Sequence, residues 1–385
     1  MEIAEQIYYV GTDDREIDLF ESQYAVPKGI SYNSYLIMDE KIALLDTVDA
    51  RKTEEWLENV KKVLGTRTPD YLIISHMEPD HAGSIMAIAE EYPMMKLVGN
   101  AKTFPMLEQF FPVDFEDRKI TVVEGDSLLL GSHTLRFFMA PMVHWPEVMV
   151  SYEETEKILF SADGFGKFGA LDTKEGWVEE ARRYYINIVG KYGMQVQALL
   201  KKAADLDIRM ICPLHGPVLK DDLEFYIEKY DIWSSYRPEE KGVLVAYASI
   251  HGNTAKAAKE LAGILAGLGE EKVEIADLSR TDIAKTVADA FRYDAMILAC
   301  PTYDGGLFPC MEDFLAHLKA KNYQKRTVGL VENGTWAPMA AKFMKTLLEG
   351  MKEIKVVEPT VSIRSALNEQ SGEQLRKLAE EIHNR

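Results

Sequence analysis

At 385 residues the chain exceeds what one ordinary core holds, and its length predicts roughly two to three domains. With 47% hydrophobic and 28% charged residues it has the composition of a globular protein. Forty-four basic against 62 acidic residues leave a formal charge of −18, which argues against nucleic acid or an anionic membrane as partner, because both repel such a surface.

The amino terminus, MEIAEQIYYVGTDDREIDLF, has neither the basic region nor the apolar stretch of an export signal. No apolar run approaches the ~20 residues of a membrane helix. Cys212, Cys300 and Cys310 form no CxxC pair, which argues against a built-in four-cysteine iron or zinc module and a disulfide framework. A reducing cytoplasm is the expected location.

Residues 1 to about 235 alternate short strands with turns and few helices. SYLIMDEKIALLDTVD predicts a hairpin with Asp39 and Glu40 at its tip. TLRFFMAPMVHWPEVMVSYEETEKILFSADGFG predicts further strands that turn near Glu153 and Glu154. Helical spacing appears in TEEWLENVKKVLG, in SIMAIAEEY and in one long amphipathic run, WVEEARRYYINIVGKYGMQVQALLKKAADL. This mixture predicts a layered α/β domain with partly antiparallel sheets. After the polar segment WSSYRPEEKG, residues 233–242, the pattern changes. Buried-type strands VLVAY, VEIADL, AMILAC, TVGLVE and KVVEPTVSI alternate with helices of ordinary length, five βα units that predict a doubly wound parallel sheet.

Four apolar runs of the first half end in groups that bind cations, and strand ends are stiff places to hang ligands. YLIIS leads to His76, Glu78, Asp80 and His81, RFFMAPMV to His144, KILFSA to Asp163 and RMICPL to His215. A lone histidine at a strand end is ordinarily a hydrogen-bonded structural residue. Two histidines and two carboxylates within 75-SHMEPDHAGS-84 are a different matter, because burying them unpaired next to a buried strand is very costly. These four imidazoles and three carboxylates give two metals four protein bonds each if one carboxylate bridges, leaving open positions for a small substrate. His133, in GDSLLLGSHTLRF, and His383 are expected in solvent, and His317 on a helix surface.

In this order His76, Asp80, His81, His144, Asp163 and His215 resemble the binuclear site of the metallo-β-lactamase fold, with Glu78 replacing the usual second histidine of HxHxDH. A hard anionic oxygen in place of an imidazole shifts preference from a hydrolytic zinc pair toward redox iron or manganese. HxExDH followed by 144-HWP-146 and DGFG is the pattern of flavodiiron proteins, also called A-type flavoproteins. That resemblance implies that His76, Glu78 and His144 hold one iron, Asp80, His81 and His215 the other, and that Asp163 bridges them. Some relatives carry a histidine before the strand that contains YNSY, and residues 20–34 contain none.

The second half offers three loops. In 248-ASIHGNT-254, Ser249, Ile250, His251, Gly252, Asn253 and Thr254 join a strand to a helix, whose amino-terminal N–H groups suit a single terminal phosphate. It is neither a Walker loop nor GxGxxG. Pro301, Thr302, Tyr303, Asp304, Gly305 and Gly306 follow the third strand, and Asn333, Gly334, Thr335 and Trp336 the fourth. Both place an aromatic residue and glycines at the carboxyl edge of the sheet, where a planar ring can lie. This half resembles flavodoxin, which implies FMN. The third loop departs from the pattern, since many relatives have a Tyr-Gly-Trp run there.

The resemblance covers essentially the whole chain. It implies a metallo-β-lactamase-like αββα sandwich over 1–240, followed by a flavodoxin-like doubly wound parallel five-stranded sheet over 241–385. The implied activity is reduction of dioxygen to water, of nitric oxide to nitrous oxide, or of both, at two iron ions supplied with electrons through FMN. A binuclear zinc hydrolase with a flavodoxin-like tail is the alternative from the same fold, and Glu78 and the FMN-type loops argue against it. A pure electron carrier with a dead first domain is the other, and the seven ligands argue against that. Without a CxxC pair the chain is expected to use a separate electron donor, rubredoxin or another reduced carrier. A head-to-tail homodimer, alone or within a tetramer, is implied, setting the FMN of one chain against the irons of the other.

Overall fold

The computed structural model describes residues 1–174 and 176–385, which form two compact units. The first is Met1–Tyr185 with Met194–Tyr230, and the second is Ile186–Gly193 with Asp231–Arg385.

In the first unit a seven-stranded sheet runs, in spatial order, Glu2–Ala4, Ile7–Tyr9, Tyr35–Met38, Ile42–Leu45, Tyr71–Ile73, Lys96–Gly99 and Lys119–Thr121. The pairs up to Ile42–Leu45 are antiparallel and those beyond it parallel. A second sheet, Ser127–Leu129, Thr134–Met139, Met149–Glu153, Ile158–Phe160 and Met210–Cys212, is antiparallel except for its last, parallel pair. Tyr35, Ile37, Ala43, Leu45, Ile73 and Val98 of the first sheet share one core with Leu135, Phe137, Met149, Phe160 and Cys212 of the second. The two sheets therefore stack face to face. Leu36, Leu44, Leu72 and Leu97 are buried as well, and alternation along a strand puts them on the opposite face. The helices supply cover by their spacing: Thr53–Leu64 buries Trp56, Val60 and Leu64, and Ile85–Glu91 buries Ile85, Ile88 and Ala89.

The long amphipathic run is not one helix. It consists of a helix at Trp177–Tyr184, a widened turn at Tyr185–Val189, a tight turn at Gly190–Tyr192 and a second helix at Gly193–Ala203. The glycines explain the break. A Cβ on Gly193 would lie 2.3 Å from the Ser234 carbonyl oxygen, and the Tyr236 hydroxyl accepts the Gly193 N–H at 3.1 Å while donating to the Gly190 carbonyl at 3.0 Å.

The second unit is a parallel sheet with the order Val273–Asp277, Glu240–Tyr247, Tyr293–Tyr303, Arg326–Asn333 and then Ile354–Val356 with Val361–Ile363. The strand order is 2-1-3-4-5, as a doubly wound fold requires. KVVEPTVSI forms two short strands rather than one, because Pro359 has no N–H to give a ladder. Among the described residues no helix is long and apolar enough to cross a membrane.

Candidate metal centre and flavin cleft

After the strand Tyr71–Ile73 the chain passes through His76 and Glu78 into a short helix, Pro79–Ala82, which carries Asp80 and His81. Pro79 opens that helix, where a missing N–H is harmless. The turn is held from below. Asp46 Oδ1, just past Ile42–Leu45, accepts the Ser75 N–H at 2.7 Å and the His76 N–H at 3.3 Å. Burial pushes the Asp46 carboxyl up to about 6 against those hydrogen bonds.

Ligand atoms of His76, Glu78, His144 and Asp163 form one group, and those of Asp80, His81 and His215 another. In the first, His144 Nε2 is 3.0 Å from Glu78 Oε2 and 3.2 Å from Asp163 Oδ2, and His76 Nε2 is 3.4 Å from His144 Nε2. In the second, His81 Nε2 is 3.1 Å from His215 Nε2 and 3.2 Å from Asp80 Oδ2. Asp163 reaches both groups, with Oδ2 toward the first and Oδ1 3.2 Å from His81 Nε2.

The spacing suits metal binding. Donors about 2.1 Å from a common ion at angles near 90–110° stand roughly 3.0–3.4 Å apart. The carboxylate oxygens of Asp80 and Asp163 are buried without a well-aligned hydrogen bond, which is costly unless a cation takes them. Burial opposes a charged His144 imidazole, but the Asp163 and Glu78 carboxylates outweigh it and push it up to about 9.

The ring orientations are set by groups that sequence reading missed. Glu147 Oε1 lies 2.8 Å from His76 Nδ1 and also accepts the Met77 N–H at 2.8 Å. His215 Nδ1 donates to the Ser31 carbonyl oxygen at 2.7 Å. A carbonyl only accepts, so a neutral His215 leaves Nε2 bare for a metal. Burial would raise the Glu147 carboxyl, yet its contact with His76 holds it below the usual range.

His133 is not in solvent. It is 2% exposed, with Nδ1 3.1 Å from Glu153 Oε1, because the adjoining strands Thr134–Met139 and Met149–Glu153 bring the two together. His383 is held 3.0 Å from Glu270 Oε1 at the end of Glu369–His383. His317 stands on the partly exposed side of Pro309–Ala320.

In the second unit a cleft of about 660 Å³ opens where the loops after the first, third and fourth strands converge. Its wall takes Ile250, His251, Asn253 and Thr254 from the first loop, Pro301 to Gly305 from the second, and Asn333 to Trp336 from the third. Ser249, Gly252 and Gly306 lie outside that wall. The Ser249 hydroxyl accepts the Gly252 and Ala255 N–H groups at 3.1 and 3.2 Å and so shapes the loop. Gly252, at φ 89°, begins the helix Asn253–Gly267 in a backbone conformation that suits glycine. Gly306 pairs back onto Tyr303 in a short hairpin. Ser365, Ala337 and Met339 complete the wall unannounced. Ser365 does so from the loop after Val361–Ile363, where its N–H meets Asn333 Oδ1 at 3.1 Å. The volume fits a cofactor-sized ligand, the helix start supplies unpaired N–H groups for a phosphate, and Tyr303 and Trp336 supply ring faces.

A β-lactamase-like sandwich carrying seven candidate metal ligands, joined to a flavodoxin-like sheet with a flavin-sized cleft, defines the class. Residues 30–216 match the ODP family beta lactamase and residues 244–370 a flavodoxin domain. A nitric oxide reductase of Moorella thermoacetica is 31% identical, covering 94% of this chain and 92% of its own. Flavo-diiron protein FprA2 of Clostridium acetobutylicum is 30% identical, covering 91% of each. The solved structure of rubredoxin oxygen:oxidoreductase from Desulfovibrio gigas superposes with a TM-score of 0.94 at 28% identity, covering 100% of this chain and 98% of that one. The chain belongs to the flavodiiron protein family. It is an oxidoreductase whose cofactors are FMN and a di-iron centre.

Proposed function

We propose that this flavodiiron oxidoreductase reduces dioxygen to water, nitric oxide to nitrous oxide, or both, in the first unit, with electrons that enter through the second. The observation that carries the reading is Asp163, whose two oxygens face two separate ligand groups. His76, Glu78 and His144 would hold one iron, and Asp80, His81 and His215 the other. When bound, FMN and the two irons supply the four electrons that dioxygen needs. The protein's own part is positional. Glu147 and the Ser31 carbonyl orient two of the imidazoles, Asp46 fixes the turn that carries His76, and the helix start at Asn253 would take the FMN phosphate.

The zinc hydrolase is disfavoured because Glu78 puts a hard oxygen where that chemistry uses imidazole. Residues 1–240 would serve the irons and 241–385 FMN. The donor would be a reduced carrier, rubredoxin first among them, as the printed name of the Desulfovibrio gigas relative suggests. All three cysteines are free, in keeping with a reducing cytoplasm. Each site is assembled within its own unit, so a head-to-tail homodimer, or a tetramer built from it, would let FMN of one chain serve iron of another. The test is metal analysis joined to parallel anaerobic assays of both gases with chemically reduced protein. Two irons per chain and consumption of either gas are expected, and a zinc-loaded protein inert to both would overturn the reading.

A further inference from the structure

The two ligand groups share a mouth. A cleft of about 320 Å³ is walled by Glu78 and Asp80, one residue from each group, together with Glu21, Tyr32, Asp49 and Arg51. Most polar groups of this wall already have strong partners. Asp49 takes Arg51 through both oxygens, Nε donating to Oδ1 at 2.9 Å and Nη2 to Oδ2 at 3.0 Å. Arg51 Nη2 also donates to the Tyr32 hydroxyl at 3.0 Å. Among the described residues Glu21 has no ion-pair partner within 4.0 Å, though the His144 imidazole acts on it from farther off. Its carboxylate accepts one hydrogen bond, from the Gln23 side-chain amide at 3.2 Å.

Glu21 is also held in an uncommon way. It sits at the tip of the hairpin Leu19–Phe20 and Tyr24–Ala25, where Glu21 and Ser22 both have left-handed backbones, φ 48° and 57°. Glycine, asparagine and aspartate ordinarily fill such positions, and backbone strain of this kind concentrates at functional sites. As a residue Glu21 is exposed, so it exchanges protons with water. Its carboxyl end is nevertheless pushed up to about 7, by burial first and by the nearby Glu78 second.

Either reduction needs protons as well as electrons. Dioxygen takes four of each to give two waters, and two molecules of nitric oxide take two of each to give nitrous oxide and water. The electrons come from the reduced donor through FMN, and the protons from solvent. We propose that Glu21 is the proton relay of this centre, carrying protons from solvent into the cleft between Glu78 and Asp80 while the gas is reduced there. The inference rests on the proposed function. Among the described residues the charged and titratable groups facing Glu21 are Glu78 and Asp80 on the metal loop, His144 beyond Thr134–Met139, Tyr24 on its own hairpin, Tyr32 and the Asp49–Arg51 pair. Cations held by Glu78 and Asp80 would cancel their repulsion, so the assignment stands on the position of Glu21 in the cleft wall and on its having no ion-pair partner among the described residues.

The experiment compares wild type, Glu21→Gln and Glu21→Asp, each with iron and FMN quantified. Chemically reduced, fully loaded protein is mixed with dioxygen, and flavin reoxidation is followed across about pH 5 to 8 in light and heavy water. A positioned side chain that transfers protons is worth roughly 10²–10⁴-fold, and water in an open cleft replaces part of that, so Glu21→Gln should slow reoxidation about tenfold. Its solvent isotope effect should rise, Glu21→Asp should recover part of the rate, and iron content and FMN reduction by the donor should not change. Independently of turnover, the loaded wild type should show an infrared band of a protonated carboxyl that titrates and is missing from Glu21→Gln. A variant with the wild-type rate and pH profile overturns the proposal, as does loss of iron from it or absence of that band. If the wild type itself consumes neither gas, the functional reading has failed at the control and the relay falls with it.

Discussion

The two cofactor sites of this chain are built on opposite principles. At the metal centre His76, His81, Asp163 and His215 are at most 1% exposed, whereas the flavin cleft shows Trp336 at 80%, Tyr303 at 44% and Ile250 at 43% exposure. A buried charge must find a partner or it destabilises the fold by several kcal/mol, so the metal centre is an all-or-none arrangement of specific donors. The flavin cleft uses loop backbone, hydroxyls and ring faces, each of which gives a modest, replaceable share. Losses at the first site should therefore be abrupt, and at the second graded.

The sharpest break of that comparison is Asp163→Ala. Of the seven candidate ligands Asp163 alone faces both groups, so removing it should strip more iron than any other single ligand change and abolish gas reduction. Iron that stays near two per chain in this variant, measured on the purified protein, would sink the bridging assignment.

The next test asks whether the two kinds of site cooperate between chains. Asp163→Ala is mixed with a variant lacking FMN, in which Ser249 and Thr254 are replaced, under conditions that allow subunit exchange. Each parent should be inactive, and the mixed dimer should regain one working pair of sites, because a two-fold head-to-tail contact is used twice. Confirmed exchange with activity still at zero would mean that electrons do not cross between chains.

A graded loss is expected from Gly252→Ala. Gly252 precedes the helix Asn253–Gly267 at φ 89°, and an added Cβ meets nothing within 4 Å. The cost is then conformational alone, about 1–2 kcal/mol, which corresponds to FMN binding weaker by about tenfold with iron unchanged. Titration of FMN into the stripped protein measures it. A hundredfold loss would mean that the loop backbone itself carries the phosphate more strongly than this reading holds.

The same contrast explains what the sequence disclosed. His76 to His81 was legible because two histidines and two carboxylates in six positions, after a buried strand, are hard to place in any other way. The doubly wound sheet was legible from its strand runs. Glu147 was not: in HWPE it looks like any loop glutamate, and only the fold brings it to His76, 71 residues away. Ser365 was hidden for the same reason, since nothing in SIRSAL marks a serine that folds back onto Asn333. Strand pairing creates such partners, and pairing over long separations leaves no local pattern.

His133 is the clearest case and gives the smallest predicted effect. Its polar surroundings, Gly131 and Ser132, suggested a solvated turn, yet it is buried against Glu153. His133→Ala should leave iron unchanged, since the ring is no part of either ligand group. Glu153 keeps the Thr155 and Glu156 N–H groups, at 2.9 and 2.6 Å, so the loss should be about 1–3 kcal/mol. The effect has a definite pH dependence. The Glu153 contact raises the His133 imidazole above its ordinary 6.5, burial opposing, so this stabilisation is full below 6.5 and fades as pH rises through the folded value. Burial would raise the Glu153 carboxyl, but His133 and the backbone N–H groups hold it below its ordinary 4.5, so its share is present above 4.5 and fades in acid. The gap between wild-type and His133→Ala melting temperatures should therefore be widest between 4.5 and 6.5 and narrow on both sides. Thermal melts with iron analysis across that range decide it. A gap that grows toward alkaline pH would show that the pair is held together by something other than a charged imidazole.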